Sequence, residues 1–155
     1  MGVSASVVAM THCESAKLTD KFGKAAEGIL CPTQWAETLK YKDPLFGTAM
    51  DYNKAFLASH SEYKEVPYQV AQASAAVEIW ADAFKRAGSL DKDKLRDALA
   101  KTDLDTFYGH IKFAPDGRNL TKPMVLRQIQ NDKYAVVAPT KYASEKVVYP
   151  RVAEK

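Results

Sequence analysis

Thr11-His12-Cys13-Glu14 puts a hydroxyl, an imidazole, a thiol and a carboxylate on four successive residues. Imidazole, thiolate and carboxylate are the ligand types of zinc and related ions, but a metal needs ligands that converge, and neighbours in extended chain point to opposite sides. No second cluster stands at ligand spacing in the rest of the sequence, so no metal is expected. A Cys13–His12 nucleophile pair meets the same objection and lacks a companion Asn or Asp pattern. The chain is therefore not read as an enzyme, and no cofactor is expected. What these residues can do is hydrogen-bond and ion-pair with a small molecule. The bland alternative is a solvated loop in which Glu14 favours the start of a following helix through its dipole.

The elements around this run explain where it would stand. Val3, Val7 and Val8 belong to a short β-branched stretch ending at Met10. Ser15 is a candidate N-cap for a short helix carrying Leu18 and Phe22, which Gly23 would stop. Glu27 to Cys31 form a second apolar run closed by Pro32, giving strand, helix, strand and a parallel pair. Thr11 to Glu14 would then lie beyond the C-terminal end of the first strand, where open α/β sheets present ligands. Cys13 and Cys31 each follow a strand of that unit. They could be bonded if the strands are adjacent and the protein is exported, and two cysteines are equally consistent with a reduced protein.

Further along, Thr48 and Asp51 have the spacing of a capping box, and Tyr52, Ala55, Phe56 and Ser59 share the face of the helix that follows. Pro67 opens a long helix ending at Gly88, with Val70, Ala73, Val77, Ala81 and Phe84 on the expected packed face, Trp80 in or beside it, and Glu78, Asp82, Lys85 and Arg86 opposite. A further helix covers roughly Asp91 to Ala100, with Leu95, Ala98 and Leu99 inward. From Phe107 the period becomes two, through Gly109, Ile111 and Phe113 to a turn at Pro115-Asp116-Gly117. Strands at Met124 to Gln130 and Tyr134 to Ala138, joined by Asn131-Asp132-Lys133, complete the pattern.

The bulk numbers exclude several classes. With 22 basic and 19 acidic residues interleaved along 155 positions, there is no basic stripe for nucleic acid. Val3 to Met10 is far shorter than the roughly 20 apolar residues that span a bilayer. It has no Lys or Arg before it, so it does not read as a secretory signal. Asn119-Leu120-Thr121 fits the glycosylation pattern, which in a bacterial-type protein is a coincidence.

Several segments occur in an order that resembles one family. They are Ala26-Glu27-Gly28-Ile29-Leu30, the helix end Ala81-Asp82-Ala83-Phe84-Lys85-Arg86-Ala87-Gly88-Ser89-Leu90-Asp91, and Leu95-Arg96-Asp97-Ala98-Leu99. Thr106-Phe107-Tyr108-Gly109 through Gly117, Gln128 to Tyr134, Val137-Ala138-Pro139 and Val148-Tyr149-Pro150 follow. Together they resemble the C-terminal half of a type I periplasmic solute-binding protein of the branched-chain amino acid and amide kind.

That resemblance implies an α/β chain that is part of a two-lobed fold. Residues 1–30 would be the remainder of the second lobe. Residues 31–147 would be a crossover and the returning part of the first lobe, including the late hairpin, and 148–155 a last hinge crossing and tail. It implies the substrate-binding component of an ABC importer, in the periplasm, with a small solute and the permease subunits as partners and a signal peptide encoded upstream. A ligand-sensing regulatory or receptor domain of the same fold is the alternative. Ligand contacts would come from Thr11, His12 and Glu14, the last facing a ligand ammonium, and from Trp35 and Tyr68 as aromatic walls, unless the two rings are plain core. A half-fold is also expected to bind its solute poorly and to expose apolar surface.

Overall fold

The computed structural model describes residues 5–14, 16–122 and 124–151. In chain order the elements are α1 (Leu18–Phe22), β1 (Leu30–Thr33), β2 (Lys42–Asp43), β3 (Gly47–Thr48), α2 (Ala49–Ser59), α3 (Tyr68–Ala87), α4 (Lys92–Ala100), β4 (Asp103–Thr106), β5 (Gly109–Lys112), β6 (Val125–Gln130) and β7 (Lys133–Ala138). The chain divides into two compact units, one made of Met1–Thr38 with Met124–Lys155 and the other of Leu39–Pro123.

The first unit is built on an antiparallel sheet in the order β1-β6-β7. The β-branched stretch before it contributes less strand than expected. Ala9 makes an isolated parallel bridge to Leu30, with Met10 N donating to Leu30 O and Leu30 N to Val8 O, both at 2.9 Å. The parallel pairing of the expected strand-helix-strand unit is present in this short form. Val3 and the candidate N-cap Ser15 lie outside the described residues. The helix starts only at Leu18, behind Lys17 in the left-handed region, and ends at Gly23 with φ 47°. Cys13, Leu18, Ala26, Ile29, Cys31 and Ile129 form the core of this unit, with Val8, Ala16 and Tyr134 packed on it.

Leu30 to Thr33 pair with Gln128 to Val125, so the late hairpin shares a sheet with β1 and not with the helices. Alternation of apolar residues indicates that a strand has a buried face but not which strand lies beside it. The hairpin itself turns on Asn131 and Asp132, both at positive φ, the requirement of a two-residue turn that matches strand twist. Glu27 fixes that turn: its two carboxylate oxygens accept from Asn131 N at 3.0 Å and Asp132 N at 2.8 Å.

In the second unit the helix signals act locally. Thr48 and Asp51 form the reciprocal capping box of α2. Pro67 precedes α3, and Gly88, at φ 57°, ends it by donating to Phe84 O. Asp91 caps α4 by accepting from Asp93 N and Lys94 N. Arg86 joins the two helices, donating from Nη1 to Ala98 O at 2.6 Å and from Nη2 to Thr102 Oγ1 at 3.1 Å.

Two expectations fail in this unit. The residues of α3 that are buried are Ala71, Ala75 and Ala83, whereas Val77, Trp80 and Phe84 are exposed. The helix packs through small side chains that let its backbone approach closely, and the larger apolar stripe expected inside, Trp80 included, faces out. The strand expected from Phe107 starts only at Gly109, as β5, because Phe107-Tyr108 form the two-residue turn that joins it to β4. Thr106 Oγ1 accepts from Gly109 N at 3.1 Å and donates to Gly109 O at 2.6 Å, and Asp43 Oδ2 accepts from Phe107 N at 2.5 Å. Tyr52 stacks on the buried Phe107 ring with centroids 3.9 Å apart.

Candidate functional site

The Thr11–Glu14 loop leaves the Val8–Met10 segment where that segment stops running beside β1. His12 takes a left-handed φ of 59°, and the chain then winds back on itself. His12 O accepts from Ala16 N and Glu14 O from Lys17 N, both at 2.9 Å. The two halves of the loop meet different surroundings as a result. Thr11 and His12 are exposed, while Cys13 is buried.

Cys13 is bonded to Cys31 in β1, with Cα atoms 6.0 Å apart. Neither thiol is therefore available as a nucleophile or metal ligand, and among the described residues no three His, Cys, Asp or Glu side chains converge to hold a metal. Glu14 is ion-paired with Arg127 of β6, and the two side chains are only 6% and 5% exposed. The Arg127 guanidinium lies over the Tyr134 ring, 4.7 Å from its centroid. Burial lowers the Arg127 pKa to about 10, with Tyr134 opposing, so the group stays charged at neutral pH. Its Nε is buried without a hydrogen-bond partner.

Glu14 thus has a counter-charge inside the protein, whereas the sequence suggested a ligand ammonium for that place. A buried carboxylate needs a cation and hydrogen bonds, and Arg127 is the nearer supply. Arg127 went unnoticed in the sequence, although a signal existed. Val125, Arg127 and Ile129 are alternate residues of one strand and all three are buried, and a charge at an inward position of an alternating strand calls for a partner.

The two aromatic candidates lie in different units. Trp35, just beyond β1, is buried at 1% exposure, and its carbonyl accepts from Thr33 Oγ1 at 3.1 Å. Tyr68 opens α3 and is half-buried. Its unit also holds Lys122, whose Nζ stands 3.7 Å from the centroid of the Tyr108 ring. Burial lowers the Lys122 pKa to about 8, and burial followed by the charge of Tyr68 pushes the Tyr108 hydroxyl well above its usual range. Gly109, at φ 143°, admits the Lys122 stem: a Cβ there would stand 3.2 Å from three of its carbons. Nothing in the local sequence pattern marked Lys122.

A family model described as periplasmic binding protein matches residues 1–134. The chain belongs to the periplasmic binding protein family. It is similar in fold to a leucine binding protein, LivK, from Thermotoga maritima, with 24% identity and a TM-score of 0.66 over 79% of this chain and 33% of that one. It is also similar to two putative branched-chain amino acid ABC transporter structures. One, from Silicibacter pomeroyi, is 17% identical with a TM-score of 0.74 over 93% of this chain and 40% of that one. The other, from Rhodospirillum rubrum, is 28% identical with a TM-score of 0.62 over 86% and 38%. This periplasmic binding protein chain therefore spans between a third and two-fifths of the solved structures it matches. The family is one of solute binders rather than catalysts. Among the described residues no helix is long and apolar enough to cross a membrane.

Proposed function

We propose that this chain is the C-terminal part of a substrate-binding component of an ABC importer, acting in the periplasm and presenting a small solute to permease subunits. Thr11 and His12 meet the solute, Glu14 acts through Arg127 to hold their loop, Tyr68 contributes aromatic surface, and Trp35 packs as core. The solute is a branched-chain amino acid, an amide or an aromatic carboxylate. The observation that carries the reading is a loop anchored by a disulfide and a buried ion pair that leaves its hydroxyl and imidazole open to solvent. Such anchoring preorganises a binding loop, which lowers the ordering cost of capture. The family match and the relatives named for leucine and branched-chain amino acids support it.

The test is isothermal titration of leucine, acetamide and benzoate into this chain and into a polypeptide extended to the length of the solved relatives. Micromolar binding of one of the three by the longer polypeptide, weakened by Thr11→Val and by Tyr68→Ala, is the expected result. Failure of the longer polypeptide to bind any of them overturns the transport reading. Affinity in the 155-residue chain equal to that of the longer one would show that the chain is a complete binder on its own.

A further inference from the structure

We infer that the solute end met by the Thr11–Glu14 loop is a hydrogen-bond acceptor carrying no ammonium, a carboxylate or a carboxamide, and that Arg127 sets this preference; the inference rests on reading that loop as ligand-facing. Two independent features of the loop's underside point the same way. The first is the state of Glu14. An ammonium entering a site shielded from water needs a carboxylate or a ring of acceptors to replace its hydration. The carboxylate of this loop is already matched by a guanidinium, and both side chains are withdrawn from solvent. Recruiting Glu14 to a ligand cation would strip Arg127 of its partner and leave a buried charge uncompensated.

The second feature is the unmatched donor. Arg127 is a five-donor fork with no acceptor capacity. Its Nη2 is used by Glu14 and its face by the Tyr134 ring, but its Nε–H has no partner. Buried polar groups are nearly always satisfied, and a guanidinium donor left over beside a proposed binding loop is satisfied by an oxygen. A carboxylate or an amide carbonyl supplies that oxygen, while an ammonium brings only more donors. Thr11 offers a hydroxyl and His12 a ring, both able to donate to an oxygen, and the loop has no uncompensated negative charge.

The experiment uses four-to-six-carbon probes that differ in one end group, titrated into the polypeptide extended to the length of the solved relatives and followed by the amide resonances of residues 11–14 and the Arg127 Nε–H resonance. Isocaproate has a carboxylate, isocaproamide a carboxamide, and isoamylamine only an ammonium. The expected result is saturable shifts of the loop resonances by the first two, with affinity at least ~10-fold above that of isoamylamine. Arg127→Lys keeps the charge for Glu14 but not the planar fork, and is expected to narrow the difference to less than ~3-fold while the chain stays folded. Saturable loop shifts with isoamylamine bound as tightly as isocaproate, or tighter, overturn the inference and leave the loop as a ligand site. An unchanged preference in folded Arg127→Lys removes Arg127 as its determinant. If no probe moves the resonances of residues 11–14, the loop does not face a ligand and the underlying reading falls as well.

Discussion

Cys31 and Arg127 stand opposite one another in the antiparallel register of β1 and β6, and they hold consecutive residues of the same loop, Cys13 by a covalent bond and Glu14 by an ion pair. The loop is thus fastened at two adjacent points to a single rung of the sheet. Either fastening can be removed separately, which makes their contributions measurable.

The disulfide joins residues 18 apart in sequence. In the chain-entropy account, a closed loop of that size destabilises the unfolded state by about 3 kcal/mol. Cys13→Ser with Cys31→Ser should lower unfolding stability by a comparable amount in urea titration, and the oxidised wild type should gain the mass of two hydrogens only after denaturation with reductant, since both sulfurs are buried. A double variant as stable as the oxidised parent would show that the bond constrains nothing of consequence.

The ion pair should behave asymmetrically. Arg127→Met leaves Glu14 buried and unpaired, and is expected to cost about 3–5 kcal/mol. Adding Glu14→Met should recover most of that loss, because the cost lies in the abandoned charge. Chemical denaturation of both single variants and the double one closes the cycle, and additive losses would mean the two side chains do not interact as described.

Glu78, on α3, has a buried Oε2 without a hydrogen-bond partner. Burial first, and then the charges of Asp43 and Asp82, push its carboxyl up from the ordinary 4.5 to about 7. The folded chain therefore holds this proton more tightly than the unfolded chain does. Its contribution to stability is intact below about pH 4.5 and is lost as the pH rises through about 7. Glu78→Gln, which cannot ionise, should match wild type under acid conditions and exceed it at mildly alkaline pH. Parallel stability profiles for the two proteins across that interval would contradict the assignment.

Val77, Trp80 and Phe84 are 70%, 45% and 39% exposed on one helix, and the Trp80 and Phe84 rings are 5.6 Å apart. Grouped apolar surface of this kind is a liability in a monomer. The chain is expected to bind a hydrophobic dye and to sediment with concentration-dependent association, both reduced by Val77→Lys with Trp80→Lys at unchanged helix content. A wild-type chain that stays monomeric and dye-negative would count against an adhesive face.

What could be read from the sequence follows the range over which each cause acts. Pro67 and Gly88 bound α3 because their backbone restrictions are local, and Asp91 marks α4 for the same reason. The alternation in β6 and β7 gave their extent, but not their neighbour β1, which lies far back along the chain. The turn at Phe107-Tyr108 carries no Gly or Asn at its centre. It is held by Thr106 and by Asp43, 64 residues away, so no local composition announces it. At the candidate site, Thr11 to Glu14 could be chosen by residue type. The fate of Glu14 depended on a partner 113 residues distant, and a contact at that separation leaves no spacing to recognise.

The pairing of Thr33 with Val125 has one more consequence, for the order in which the molecule can form. A chain made from its N-terminus delivers β1 long before its partner β6 exists. The whole Leu39–Pro123 unit emerges in between and can complete its own contacts first. During that interval β1 presents unsatisfied edge groups, and the apolar side chains that later meet Ile129 lie open. Closure of the sheet is then a non-local event, the kind of contact whose long loop must be closed before it stabilises anything.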